Sequence, residues 1–141
     1  MSSSPIRSFE QLHHHLAQLP SRCRVAVAHP ADAHTLQAVL NAVHLGFVEA
    51  FFVGEVHAPL LEKLSSETAA WVHHIPASDA GAAMQQAVQM VHDGEADALM
   101  KGLVNTDDLL RHVLNKTYGL RQEGAVISHV AAFHLPMLER I

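Results

Sequence analysis

Lys101, Gly102, Asn105, Thr106 and Arg111 fall close together in DALMKGLVNTDDLLRHVLNKTYGLR, residues 97–121. A lysine and a glycine end an apolar run, two capping residues follow, and an arginine comes about one turn later. Such a set suits an anion. Backbone N–H groups at a strand-to-helix turn, together with the positive end of a helix dipole, favour negative charge. Glycine lets the backbone approach a phosphate closely. Lysine supplies a point charge, and arginine a fork that matches phosphate or carboxylate. From Lys101 to Arg121 the charge balance is +2, while the whole chain carries −5, so the remainder sums to −7. An anionic ligand would be drawn to this stretch of an acidic protein.

Plainer roles are open to the same residues. Lys101 and Gly102 fit a solvated lysine and a turn glycine, since K-G-x-x-N-T lacks the spacing of a P-loop. Helix capping alone accounts for Asn105 and Thr106. Asp107 and Asp108 occupy the first turn, where acids stabilise the dipole but compete with a bound anion. Arg111 can pair with Asp107 at i,i+4 or fork onto a ligand. Ser128-His129 has the residue types of a nucleophile and its base, but strand neighbours point to opposite faces, so no direct dyad is expected.

The chain contains 13 histidines, and their spacing defines no metal site. His13, His14 and His15 diverge around a helix, and His73 and His74 face opposite sides of a strand. No HExxH or Cys/His pattern occurs, so no metal is expected. The single Cys23 opens an apolar run and reads as a buried structural thiol.

Elements of regular period surround these residues. Residues 1–6 read as a loose tail, followed by a Ser8-capped helix to about Gln18. Expected strands are 24–29, 47–53, 71–75, 98–100 and, apolar nearly throughout, 125–133. Helices alternate with them: Asp32 to about Leu45, closed by Gly46; Pro59 to Ser66; Ser78 or Asp79 to His92; and Thr106 to Asn115. This alternation predicts a three-layer α/β/α domain with a largely parallel sheet, whose strands, covered on both faces, are continuously apolar. Ligands bind such sheets beyond the carboxyl ends of the strands. His29, Gly54, Pro76 and Gly102 lie at those ends, and only Gly102 is followed by basic residues.

A length of 141 residues fits one domain, and 49% hydrophobic against 16% charged residues fits a filled core rather than disorder. The acidic balance, with no basic stripe, argues against nucleic acid. The sequence has no apolar run of about 20 residues to span a membrane, and its opening, MSSSPIRSFE, lacks an apolar signal region. A cytoplasmic location is expected. Leu138 and Ile141 read as the start of a further element, so this chain is expected to be the front part of a longer one.

Residues 96–136, with MKGLVNT and SHVAAF, and residues 24–55, RVAVAHPADAHTLQAVLNAVHLGFVEAFFVGE, resemble the phosphate acetyl/butyryltransferase family, most closely its butyryl branch. The likeness implies a two-domain α/β enzyme with its active site in the interdomain cleft, of which this chain would be the first domain. It implies transfer of an acyl group between coenzyme A and inorganic phosphate, with the coenzyme A thioester as substrate and no covalently bound cofactor. By the same likeness Lys101, Gly102, Asn105, Thr106 and Arg111 would form one wall of that cleft, with the catalytic base unassigned. Alone, the chain is expected to be inactive. The alternative is a catalytically incomplete domain that binds an anion or a partner subunit. A homo-oligomer, in the simplest case a dimer, would cover the face left exposed.

Overall fold

The computed structural model describes residues 5–133 and 135. Four strands, β1 (Cys23–Ala28), β2 (Val48–Val53), β3 (Val72–Ile75) and β4 (Ala98–Lys101), form a sheet in the order β3-β2-β1-β4. Every pairing is parallel. Among the described residues six helices accompany them: α1 (Phe9–Ala17), α2 (Ala33–His44), α3 (Ala58–Leu61), α4 (Ser66–Ala69), α5 (Ala80–His92) and α6 (Thr106–Val113).

The strand period of 2 divides the core between the two faces of the sheet. Val27 of β1 and Val48, Ala50 and Phe52 of β2 meet Leu36, Val39, Leu40 and Val43 of α2. Ala26, Ala28 and Val53 meet Ala83, Met84, Ala87 and Val88 of α5, with Leu109 of α6 beside them. Alanines on β1 let α5 lie close to the strand, which is how a core poor in aromatics fills. The predicted α/β/α layering and parallel sheet are therefore present.

Caps fix the helix starts as the sequence implies. Ser8, Asp32 and Asp79 accept from the N–H groups of Gln11, Thr35 and Ala82. At the far end of α2, Gly46 takes φ +93°, the left-handed geometry that closes a helix.

Several expectations need correction. Residues 125–133 form no strand and are exposed throughout, including Val126 at 90% and Val130 at 86%. Apolar content shows that a segment favours burial, but burial needs a covering surface, and the described residues supply none. The single helix expected over 59–66 is two four-residue helices, α3 and α4, separated where Ser65 caps the second. Helix α6 ends at Val113 because the Asn115 side chain turns to accept from the N–H groups of Thr117 and Tyr118. Cys23 is exposed, being the first residue of its strand. Its thiol is nonetheless pushed up, by desolvation first and then by Asp97, which favours the unreactive protonated form. Most of the expected N-terminal tail, and the element suggested by Leu138 and Ile141, lie outside the described residues.

Candidate functional site

β2 and β3 succeed β1 on one side, and the chain then crosses back to place β4 on the other. The carboxyl ends of β1 and β4 thus flank the point where the strand order reverses, which is where open α/β sheets bind ligands. β4 runs directly into Gly102 there.

The turn is tightly built. Gly102 N–H donates to Ala28 O and Leu103 N–H to His29 O, both at 2.9 Å, extending the β1–β4 ladder past the strand. A Cβ on Gly102 would overlap Ala28 O and come within 2.5 Å of His29 O. Glycine is therefore required for the approach of backbone to backbone. Val104 N–H donates to Gly102 O, and Asp107 N–H to the Asn105 side chain, so several donors of this turn are engaged within the protein.

Asn105 is the cap of α6, which decides between the two capping candidates, and Thr106 is the first helical residue. Lys101 Nζ donates to Val104 O at 2.9 Å and to Gly102 O at 3.3 Å, drawing the lysine back over its own turn. Arg111 pairs with Asp108 at 3.1 Å, an i,i+3 contact in place of the i,i+4 contact with Asp107. The pair uses Nη1, and the Arg111 side chain is 80% exposed, so the guanidinium keeps donors for a further partner. Lys101, Gly102, Asn105 and Thr106 thus share one turn, and Arg111 stands about 9 Å further along the helix at 1.5 Å per residue. Ser128 and His129 are both exposed and are not hydrogen-bonded to each other. Among the described residues no three His, Cys, Asp or Glu side chains gather as a metal site.

His29, which the sequence placed at a strand's carboxyl end without assigning it a role, directly follows β1. It has φ +56°, and its imidazole Nδ1 is buried without a hydrogen-bond partner among the described residues. The available signal was position alone, a polar residue at the end of an apolar strand beside Pro30.

A cavity of about 680 Å³ opens at the opposite, amino end of the sheet, lined in part by Arg22, Arg24, Trp71 and Asp97. Its two arginines are already engaged within the protein. Arg24 holds Asp97 through Nε and Nη2, at 3.0 and 2.7 Å, while Arg22 binds Val43 O and Val48 O and lies 4.2 Å from the Trp71 ring centre. The crevice between β1 and β4 remains the better candidate.

The fold is a parallel α/β sheet whose strand order reverses between β1 and β4. No protein-family model matches the chain. It is 35% identical over 138 residues, 96% of its length, to a phosphate butyryltransferase of Clostridium beijerinckii, of which it spans 44%. It is 37% identical over 121 residues, 84% of its length, to that of Clostridium acetobutylicum, spanning 39%. A branched-chain phosphotransacylase from Enterococcus faecalis V583 is similar in structure at TM-score 0.52 and 26% identity, over 68% of this chain and 33% of that one. The chain is thus a relative of the phosphate acetyl/butyryltransferases, aligned with less than half the length of those members.

Proposed function

We propose that the protein containing this chain transfers an acyl group between coenzyme A and inorganic phosphate. The supporting observation is that the relationship to a phosphate butyryltransferase runs over 96% of the chain. In the reaction a phosphate oxygen attacks the thioester carbonyl carbon, forming a C–O bond. The C–S bond then breaks, and the leaving thiolate becomes the coenzyme A thiol by taking a proton. Both the attacking group and the intermediate are anionic, so fixed cations and N–H donors lower the barrier. Arg111, exposed and using only Nη1 internally, is suited to hold a phosphoryl group. Lys101 braces the turn through Gly102 O and Val104 O and adds positive charge to the crevice. Asn105 and Thr106 start α6, whose positive end adjoins the turn that Lys101 braces.

Since the chain spans under half of its relatives, the remaining walls of the site belong to sequence beyond it in this reading. The proposal includes a cytoplasmic location and a homo-oligomer. Among the described residues no helix is long and apolar enough to cross a membrane. Exposed Leu103, Leu110 and Leu114 offer apolar surface for a subunit contact.

The test is phosphate-dependent release of coenzyme A by the full-length gene product, with acetyl-CoA, butyryl-CoA and branched-chain acyl-CoA. Turnover with at least one is expected. No release with any acyl chain would sink the proposal and favour a domain that only binds an anion.

A further inference from the structure

His29 is the one non-glycine residue among those described with positive φ, +56°. Residues held in this region against their preference cluster at ligand sites. Its backbone is gripped from both sides: His29 N–H donates to Val53 O at 2.8 Å, and His29 O accepts from Leu103 and Ala31 at 2.9 Å. β2 and the turn after β4 therefore impose the left-handed geometry, which glycine would adopt without strain.

The side chain adds a second unfavourable feature. Nδ1 is buried with no hydrogen-bond partner among the described residues, against the general rule that buried polar atoms find partners. The ring packs against Gly54, where a Cβ would come within 3.2 Å of Nδ1. In the tautomer that carries its proton on Nε2, the ring offers a donor from that nitrogen. His29 is only half-buried; its ring lies beside Gly54 at the end of β2, and its carbonyl lies beside Gly102 at the end of β4.

Resting on the acyltransferase reading, we infer that His29 contacts the substrate by donating a hydrogen bond to a phosphoryl oxygen. Inorganic phosphate and the phosphate groups of coenzyme A share that chemistry, and separate measurements distinguish them. Backbone and side-chain costs at one residue are explained together if the imidazole is placed for the ligand.

The experiment compares full-length wild type with His29→Gly and His29→Asn. Glycine relieves the backbone and removes the ring, whereas asparagine tolerates left-handed geometry and keeps an N–H donor. His29→Gly is expected to melt no lower than wild type while KM for one substrate, phosphate or acyl-CoA, rises tenfold or more. His29→Asn should recover part of that loss. The substrate whose KM moves identifies the phosphoryl group. The rise in melting temperature caused by phosphate alone and by coenzyme A alone gives a readout independent of turnover, and His29→Gly should lose one of the two. Wild-type KM values and ligand shifts in His29→Gly overturn the inference. A wild type that is stabilised by ligand but turns nothing over defeats the acyltransferase reading and leaves His29 to the thermal shifts. One stabilised by neither ligand overturns both.

Discussion

The Arg111 guanidinium is held by Asp108 in a contact whose two side chains are 80% and 49% exposed. Exposed pairs of this kind contribute about 0–1 kcal/mol, so little stability depends on it. Arg111→Ala should therefore change urea-unfolding free energy by less than about 0.5 kcal/mol, while the full-length enzyme loses tenfold or more in kcat/KM for phosphate or acyl-CoA. Parallel losses in stability and turnover would return Arg111 to a structural role. Gly102 behaves in the opposite way. Its missing side chain is replaced by backbone atoms of Ala28 and His29, which cannot move aside as a flexible side chain can. Gly102→Ala should destabilise by about 2–3 kcal/mol, the upper range for overpacking, measured by urea unfolding. A loss of activity in that variant would consequently say nothing about phosphate, whereas a loss in Arg111→Ala would.

Helix starts carry the pH dependence at the level of elements. The Asp32 and Asp79 carboxyls are held below the usual range, chiefly by accepting from the backbone N–H groups of Thr35 and Ala82. A carboxylate with a folded pKa below its unfolded value stabilises fully above that unfolded value, about 3.9. The contribution is lost as pH falls through the folded value, because the unfolded chain then binds more protons. Serine caps a helix without titrating in this range. The double variant Asp32→Ser, Asp79→Ser should thus keep most stability at pH 7 yet show a shallower decline between pH 5 and pH 3 in urea unfolding. Some slope will persist through Asp97, whose carboxyl is lowered mainly by its hydrogen bond to the Arg24 side chain. An unchanged slope would mean the caps are not its source. These helix starts were legible in the sequence because capping is local, as were β1 to β4, whose apolar runs are short and sharply ended. The failures involve non-local information. Nothing within residues 125–133 says whether a partner surface is present. The turn at Gly102 was legible as a turn, but its donors are used by Ala28 and His29, some 70 residues away. His29 was given no role for the same reason, since its strain arises from Val53 and Leu103.

At the scale of the molecule, the four strands and the helices on both faces form a layered unit, while residues 125–133 lie outside its packing. Val126, Ile127, Val130 and Phe133 are exposed at 90%, 53%, 86% and 68%, an apolar series with no cover among the described residues. Segments with few buried contacts and no ladder hydrogen bonds open at little cost and are cut first by proteases. Limited digestion of the 141-residue chain should accordingly begin at exposed Arg121 with trypsin and at Phe133 with chymotrypsin, before any cut within β1 to α5. The Proposed function makes a second demand on the same segment. If the chain is one wall of a cleft, these side chains are buried by the remainder of the protein or by a second subunit, and cleavage at Arg121 and Phe133 should be at least tenfold slower in the full-length enzyme under identical conditions. Mass spectrometry of the early fragments gives both rates. Equal rates in the two proteins would show that nothing in the longer chain covers this face, and the cleft would have to be built elsewhere on the sheet.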